Sequence, residues 1–356
     1  MRSTLQSVVE LIAKRNYKGG TIVFPHLNKT LFSIIENVGR DGYQIKFLPR
    51  LEDPVYDWGY VNIDDQKFKK RFDELTERYI YWFGNSVKWH VVDRLNKADL
   101  CQMAALRAAR EARIETVYLE HGHSGGYHPN VMAGWILNFD YVYVQDNSMR
   151  KYLIQESIRH KCYPIVRGWK ELKLRKWKPG GNIILYAPTL MSGSDRFERL
   201  IPETLRWKFK KAVLKCLSDF MNYSDYKVTY KYFGQGGDQS DPAPASIRNK
   251  YPKIKISDKG NLIRAMRRCS LFITDTVSTP LYHAAEMGVP SLCLEYLGGV
   301  QTRSDIKERW KNILFPFDNE KDLEGRLYDW LIDNGGKLES PDFIKVTIDK
   351  FPWEEK

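Results

Sequence analysis

The sequence is most informative first in what it lacks. No apolar run approaches the roughly 18 residues that span a bilayer, so no transmembrane helix is expected. The opening stretch, MRSTLQSVVELIAKRNYKGG, makes a poor signal peptide because Glu10 interrupts its short apolar part; it reads as an amphipathic helix. Only five cysteines occur, Cys101, Cys162, Cys216, Cys269 and Cys293, widely spaced and without a C-x-x-C. An odd count with no metal spacing suits reduced, mostly buried thiols in a cytosolic protein. No loop carries an Asp-x-Asp of the kind that holds a metal–nucleotide pair, although NIDDQ at 62–66 has adjacent aspartates. No RNA-binding or helix-turn-helix signature is present, and no internal repeat beyond a two-fold alternation of elements.

What is present bounds the class. A chain of 356 residues, 43% hydrophobic and 28% charged, has the composition of a globular protein of about two domains. The net charge of +12 favours anionic partners: nucleic acid, acidic headgroups or phosphorylated substrates. The basic residues are scattered, with local clusters KFKKR, RWKFKK and RAMRR that read either as solvated helix faces or as anion contacts. Ten tryptophans are present, several beside basic residues, as in GWKELKLRKWK at 168–178, which either rests on a membrane surface or forms a linker.

The first half alternates strand and helix. Strands are expected at 21–24, 43–48, 116–122, 141–146 and 162–168, and helices at 27–39, 64–83 and 97–112. A polar stretch punctuated by Pro179, Gly180 and Gly181 follows, and the alternation then restarts. Strands are expected at 182–189, 226–233, 271–275 and 290–296, with a short one at KIKIS; helices fall at 196–222, NLIRAMRRC, 279–288 and 320–334. The loop GQGGDQSDPAPAS spans 234–246. The expected fold is α/β, two tandem Rossmann-like doubly wound domains facing a cleft. The first covers 1–168, a linker 169–181, the second 182–335, and a tail 336–356.

Ligands of such sheets bind outside the carboxyl ends of the strands. Four stretches lie where an expected strand runs out into a loop: YLEHGHSGG, YAPTLMSGS, YKYFGQGG and FITDTVSTP. The first leads into a cluster of histidines: three of the chain's seven, His121, His123 and His128, fall within eight positions, interleaved with Gly122, Gly125 and Gly126. Histidine is suited to taking a proton near neutrality, and the glycines permit close backbone approach to a substrate. The same stretch also reads as one structural histidine with two exposed loop histidines. A shared metal is disfavoured, because only Glu120 stands near.

In order, a strand ending in His-Gly, a strand ending YAPT, and LFITDTVSTPLYHAAEMGVPSLCLEY resemble the GT-B transferases of surface-polymer synthesis. They resemble most the CDP-glycerol glycerophosphotransferases and their relatives in capsule polysaccharide synthesis. The likeness covers about residues 116–296 in motif order. Two departures stand out: Thr276-Val277-Ser278-Thr279 replaces the family's paired serines, and Phe233 stands where a Lys-x-His-Pro would place histidine after Lys231. The long acceptor regions of many such polymerases are also lacking, which favours a single transfer.

The resemblance implies roles, with the first domain binding the acceptor and the second the nucleotide donor. His121, in the His-Gly position, would be the general base, with His123 and His128 orienting substrate or binding phosphate. Thr189 lies in the loop that would contact the donor's phosphate or base. Asp275, Thr276, Ser278 and Thr279 would form the donor site, with Pro280 in the first turn of a helix capped by Ser278 or Thr279 and its dipole facing a diphosphate. Lys231 would neutralise leaving-group charge, and Glu286 would reach a donor hydroxyl. No metal and no cofactor beyond a nucleotide-activated donor, CDP- or CMP-linked, is expected. The function read from this is transfer of a sugar or polyol phosphate to a hydroxyl of a cell-surface glycan or lipid-linked acceptor. The expected location is cytoplasmic, peripheral at the inner face of an anionic membrane, with no nucleic-acid partner. The alternatives are a nucleotide-sugar epimerase of the same build, which would need a carboxylate-rich cleft, a catalytically dead scaffold of that build, and a non-catalytic basic nucleic-acid-binding protein.

Overall fold

The computed structural model describes residues 19–26, 31–51, 66–93, 100–120, 127–128, 136–170, 174–178, 180–189, 201–232, 241–299, 301–334 and 339–355. They divide into two compact units. Unit 1 comprises Met1–Gly122, Val131–Leu172 and Val346–Lys356; unit 2 comprises His123–Asn130 and Lys173–Lys345.

Unit 1 is a six-stranded parallel sheet with helices on both faces. Its elements are β1 (Thr21–Phe24), α1 (Phe32–Arg40), β2 (Gln44–Phe47), α2 (Gln66–Phe83), β3 (Val87–Val92), α3 (Leu100–Glu111), β4 (Glu115–Leu119), β6 (Tyr141–Val144), α4 (Asn147–His160) and β7 (Ile165–Gly168). The order across the sheet is β2-β1-β3-β4-β6-β7. Strands such as TIVF are buried along their whole length, as expected where both faces are covered. The alanine-rich α3 buries Ala104, Ala105, Ala108 and Ala109, whose small side chains let it lie close to its neighbours. Asp146 caps α4 by accepting the N–H groups of Ser148 (2.7 Å) and Met149 (3.2 Å).

Unit 2 repeats the plan with β8 (Ile183–Tyr186), α5 (Glu203–Phe220), β9 (Lys227–Lys231), α6 (Ala243–Lys250), β10 (Lys255–Ser257), α7 (Leu262–Met266), β11 (Leu271–Thr274), α8 (Thr279–Met287), β12 (Ser291–Tyr296), α9 (Ser304–Arg309), β14 (Leu314–Phe317) and α10 (Glu320–Asn334). Its parallel sheet runs β10-β9-β8-β11-β12-β14. A small antiparallel ribbon pairs β5 (Tyr127–His128) with β13 (Gln301–Thr302). The segment from the histidine-bearing stretch thus groups with unit 2, although it comes from the first half of the chain.

The expected doubly wound α/β fold is present in both halves. Sequence reading passed over β3, α4, α6, α9 and β14. The strand VKWHVV follows the turn at Gly84, but Lys88 and His90 interrupt its apolar run and hide it. Helix α4 buries only Met149, Leu153 and Ser157 while Ile154 and Ile158 are exposed, which blurs its apolar stripe. Helix α6 hides inside the expected proline-rich loop, its Pro244 tolerated in the first turn. Conversely, the helix expected from 196 begins at Glu203, after Pro202.

The C-terminal segment is not a loose tail. Tyr143 and Arg167 both donate to the Lys350 carbonyl, at 2.6 and 2.7 Å, and Arg167 forks onto the Glu355 carboxylate at 2.6 and 3.0 Å. Phe351 and Trp353 stack at 4.9 Å, and Trp353, 2% exposed, reaches Trp89 in the core of unit 1. Gly168 is required here, since a Cβ would lie 2.1 Å from the Thr347 carbonyl oxygen. The basic stretch at 168–178 proves different from a membrane-resting segment in its tryptophans: Trp169 is buried in the unit 1 core, and Trp177 packs in unit 2 and donates to the Cys269 carbonyl at 2.8 Å. Only its basic side chains, Lys170, Arg175, Lys176 and Lys178 among the described residues, are exposed.

Candidate functional site

In unit 2 the chain moves from β8 outward to β9 and β10, then returns to the other side of β8 to lay down β11. The crevice between the carboxyl ends of β8 and β11 is therefore the topological switch point, where doubly wound sheets bind ligands. Four of the residues singled out in the sequence meet there. Asp275, one residue beyond β11, accepts the Thr189 N–H at 2.7 Å and the Thr189 hydroxyl at 2.6 Å through the same oxygen, Oδ1. The Thr189 oxygen lies 3.2 Å from Thr276 Oγ1, which lies 3.0 Å from Ser278 Oγ. All four residues are partly exposed, so a ligand can reach them. Below them the sheet is dry: Tyr186 is fully buried, and burial, followed by the nearby charges of Asp275 and Asp241, holds its hydroxyl well above the usual tyrosine range.

Helix α8 starts as expected, with Pro280 in its first turn and Ser278 at the N-cap position, but the side-chain cap is not made. The Ser278 hydroxyl turns to Thr276 instead, and its backbone carbonyl accepts from the N–H groups of Leu281 (2.9 Å) and Tyr282 (3.3 Å). The physical reason is competition: the adjacent threonine hydroxyl is in reach, and Pro280 has no N–H to offer. Thr279 opens the helix beside this cluster, whereas Glu286 lies near its other end, partly buried.

Lys231 ends β9 at the same edge of the sheet but is turned inward. It is 4% exposed, and its ammonium donates to the carbonyls of Ser257 and Lys259, each at 3.2 Å. Burial lowers its pKa, and Asp258 partly offsets the shift. Beside it lies a buried network that sequence reading missed. Asp241 accepts the Tyr230 hydroxyl at 2.5 Å, the Lys210 ammonium at 3.2 Å and the Ala243 N–H at 2.9 Å, tying β9, α5 and the start of α6 together. A lone aspartate in a proline-rich run carries no periodic signal that would have exposed it.

His121 and His123 lie outside the described residues. His128 is described only through its backbone in β5, opposite Gln301. In unit 1 the switch point falls between β1 and β3, whose carboxyl ends lead to His26 and to the buried Asp93. Neither is among the residues singled out in the sequence: β3 carries no clear strand pattern to lead to Asp93, and His26 stands apart from the histidine cluster. Among the described residues no group of three or more His, Cys, Asp or Glu could hold a metal ion, and no helix is long and apolar enough to cross a membrane.

Two Rossmann-like units in tandem, each a six-stranded parallel sheet with interleaved helices, define a GT-B-like fold. The chain is similar in fold to Os79 from O. sativa, solved in complex with U2F and trichothecene, at 11% identity and TM-score 0.52 over 87% of this chain and 90% of that one. Lower scores are found for LpCGTa in complex with UDP (9% identity, TM-score 0.47, 87% and 90% covered) and for MurG of Acinetobacter baumannii (12%, 0.46, 88% and 90%). At these identities the likeness is one of fold. No protein-family model and no curated protein matches the chain.

Proposed function

We propose that this protein is a glycosyltransferase-like enzyme that binds a nucleotide-activated donor at the β8/β11 edge of unit 2. It would pass a sugar or polyol phosphate to a hydroxyl of a surface glycan or lipid-linked acceptor. The observation that carries the reading is the convergence of Thr189, Asp275, Thr276 and Ser278 at the switch point of unit 2, two loops far apart in sequence joined by hydrogen bonds. The motif resemblance supports the transferred group. It also supports a histidine of the 121–128 stretch, His121 first, as the base that removes the acceptor's proton, with Lys231, Thr279 and Glu286 as further donor-side residues. An epimerase would need a carboxylate-rich crevice, and at this edge Asp275 is the one carboxylate among the converging residues.

The test is nucleotide binding by the double variant Ser278→Ala, Thr279→Ala. Loss of polar contacts at the donor should weaken nucleotide affinity by about 1–3 kcal/mol. Folding should change little, because no side-chain cap is lost. A folded double variant with unchanged nucleotide affinity removes this site from the reading.

A further inference from the structure

Two basic stretches of the sequence, LRKWK at 174–178 and RAMRR at 264–268, lie side by side in unit 2. The Lys178 N–H donates to the Arg267 carbonyl at 3.1 Å, and the Gly180 N–H to the Arg268 carbonyl at 2.9 Å. In return Arg267 Nε donates to the Lys176 carbonyl at 3.1 Å, and the Trp177 indole donates to the Cys269 carbonyl at 2.8 Å. Leu174 and Trp177 pack into the core with Met266, which leaves the cations outside. Arg175, Lys176, Lys178, Arg264 and Arg268 are exposed, and Arg267 is half-buried.

Like charges gathered in this way repel. Elsewhere the chain relieves such repulsion with carboxylates: Arg107 meets Asp73 and Glu111, Arg167 meets Glu355, and Arg326 meets Asp322. Among the described residues none of the six cations here has a carboxylate partner, and only Arg267 uses its side chain in a hydrogen bond. Arg264 and Arg268 are four residues apart where the turn of α7 continues, a spacing at which like charges destabilise a helix. The fold does not ask for these charges, because backbone groups, Trp177 and Arg267 hold the two segments together. An anionic partner would offset the repulsion.

The make-up of the patch narrows the partner. Its cations are strung along two adjacent segments on an open surface, which suits an extended anion better than a single small one. The large apolar side chains that stand exposed among the described residues all lie elsewhere, so nothing here would enter a bilayer or stack on a base. The patch also lies at the amino ends of β8 and β11, which begin at Ile183 and Leu271. Thr189 and Asp275 stand at the opposite edge of the sheet.

We propose that this face of unit 2 is a docking surface for a flexible polyanion, a chain of phosphate or carboxylate groups held by charge alone and apart from the donor crevice. It does not depend on what that crevice binds.

The test is titration of the full-length protein with short linear polyphosphate and with polyglutamate over a range of salt; the tighter of the two names the anionic group. Log affinity should fall linearly with log salt, with a slope of about −0.7 for each cation engaged. The triple variant Lys178→Gln, Arg264→Gln, Arg268→Gln removes three such contacts. Its slope should be shallower by about 2, and its affinity at 0.1 M salt lower by about a hundredfold. The equally discharged variant Lys69→Gln, Lys70→Gln, Arg71→Gln on α2 should stay near wild type, and orthophosphate should not compete. Binding of neither polymer at low salt, an equal loss in the two variants, or effective competition by orthophosphate overturns the proposal. Single-stranded DNA of equal charge that binds more tightly than both polymers overturns it in favour of a nucleic acid. Flotation with anionic vesicles that needs the same three residues, with both polymers unbound, gives this face to a membrane instead.

Discussion

Replacing His90 with leucine should remove a specific acid sensitivity of unit 1. His90 sits on β3, fully buried against Phe83, with neither ring nitrogen in a well-formed hydrogen bond among the described residues. Burial, only partly offset by the Val23 backbone, lowers its pKa from 6.5 to about 4. The unfolded chain therefore binds this proton between pH 6.5 and 4 while the folded chain does not. Stability contributed by the neutral ring is complete above pH 6.5 and is lost as pH falls through that window. The full loss is about 3 kcal/mol, and about 2 kcal/mol has gone by pH 5. Carboxylates titrate in the same range, so the quantity to read is the difference between wild type and His90→Leu in chemical or thermal unfolding at pH 7.5 and pH 5. The gap should shift in favour of the leucine variant by about 2 kcal/mol, or roughly 4–8 °C in a domain of this size, on acidification. Parallel pH profiles for the two proteins would refute the buried neutral histidine.

Trp353→Ala, which empties a site between Trp89 and Phe351, should destabilise unit 1 by about 3–5 kcal/mol in denaturant melts. A small effect would show the C-terminal segment to be dispensable. His121→Ala should lower turnover about 10²–10⁴-fold with donor affinity nearly intact. If turnover survives there and collapses in His26→Ala, the base belongs to the β1/β3 edge of unit 1 instead. Flotation with anionic vesicles should show binding at low salt and release at high salt, through exposed cations such as Lys69, Lys70 and Arg71 on α2. No flotation at low salt would favour a soluble acceptor.

Elements built on strong patterns were legible in the sequence: the largely apolar strands TIVF and LFIT, the alanine-rich α3, and α8 with Pro280 in its first turn. From these the doubly wound class and the β8/β11 edge follow, because parallel strands in α/β order leave few topologies. Elements whose burial is set by partners distant in sequence were not legible. His90 and Trp89 read as a broken pattern until β1 and β4 flank them, and Trp353 looks like a tail residue until Trp89 receives it. The donor-side residues were found by type and place, but the hydrogen bonds that join them were not. A serine two residues before proline reads as a cap, and only the 3.0 Å approach of Thr276 shows that its hydroxyl is engaged elsewhere. The sequence likewise gives no sign that the Lys231 ammonium donates to the carbonyls of Ser257 and Lys259.

The central claim is that unit 2 holds a nucleotide at the edge formed by Thr189, Asp275, Thr276 and Ser278. Calorimetric titration of the wild-type protein with CDP, CMP, UDP and GDP, repeated on Asp275→Ala, tests it most directly. The account predicts saturable one-to-one binding of at least one of these nucleotides. In Asp275→Ala, which releases the Thr189 backbone and hydroxyl, that binding should weaken by about tenfold or more, the scale of a lost charge-assisted contact. Binding of none of the four, or equal binding by wild type and a folded Asp275→Ala, would contradict it.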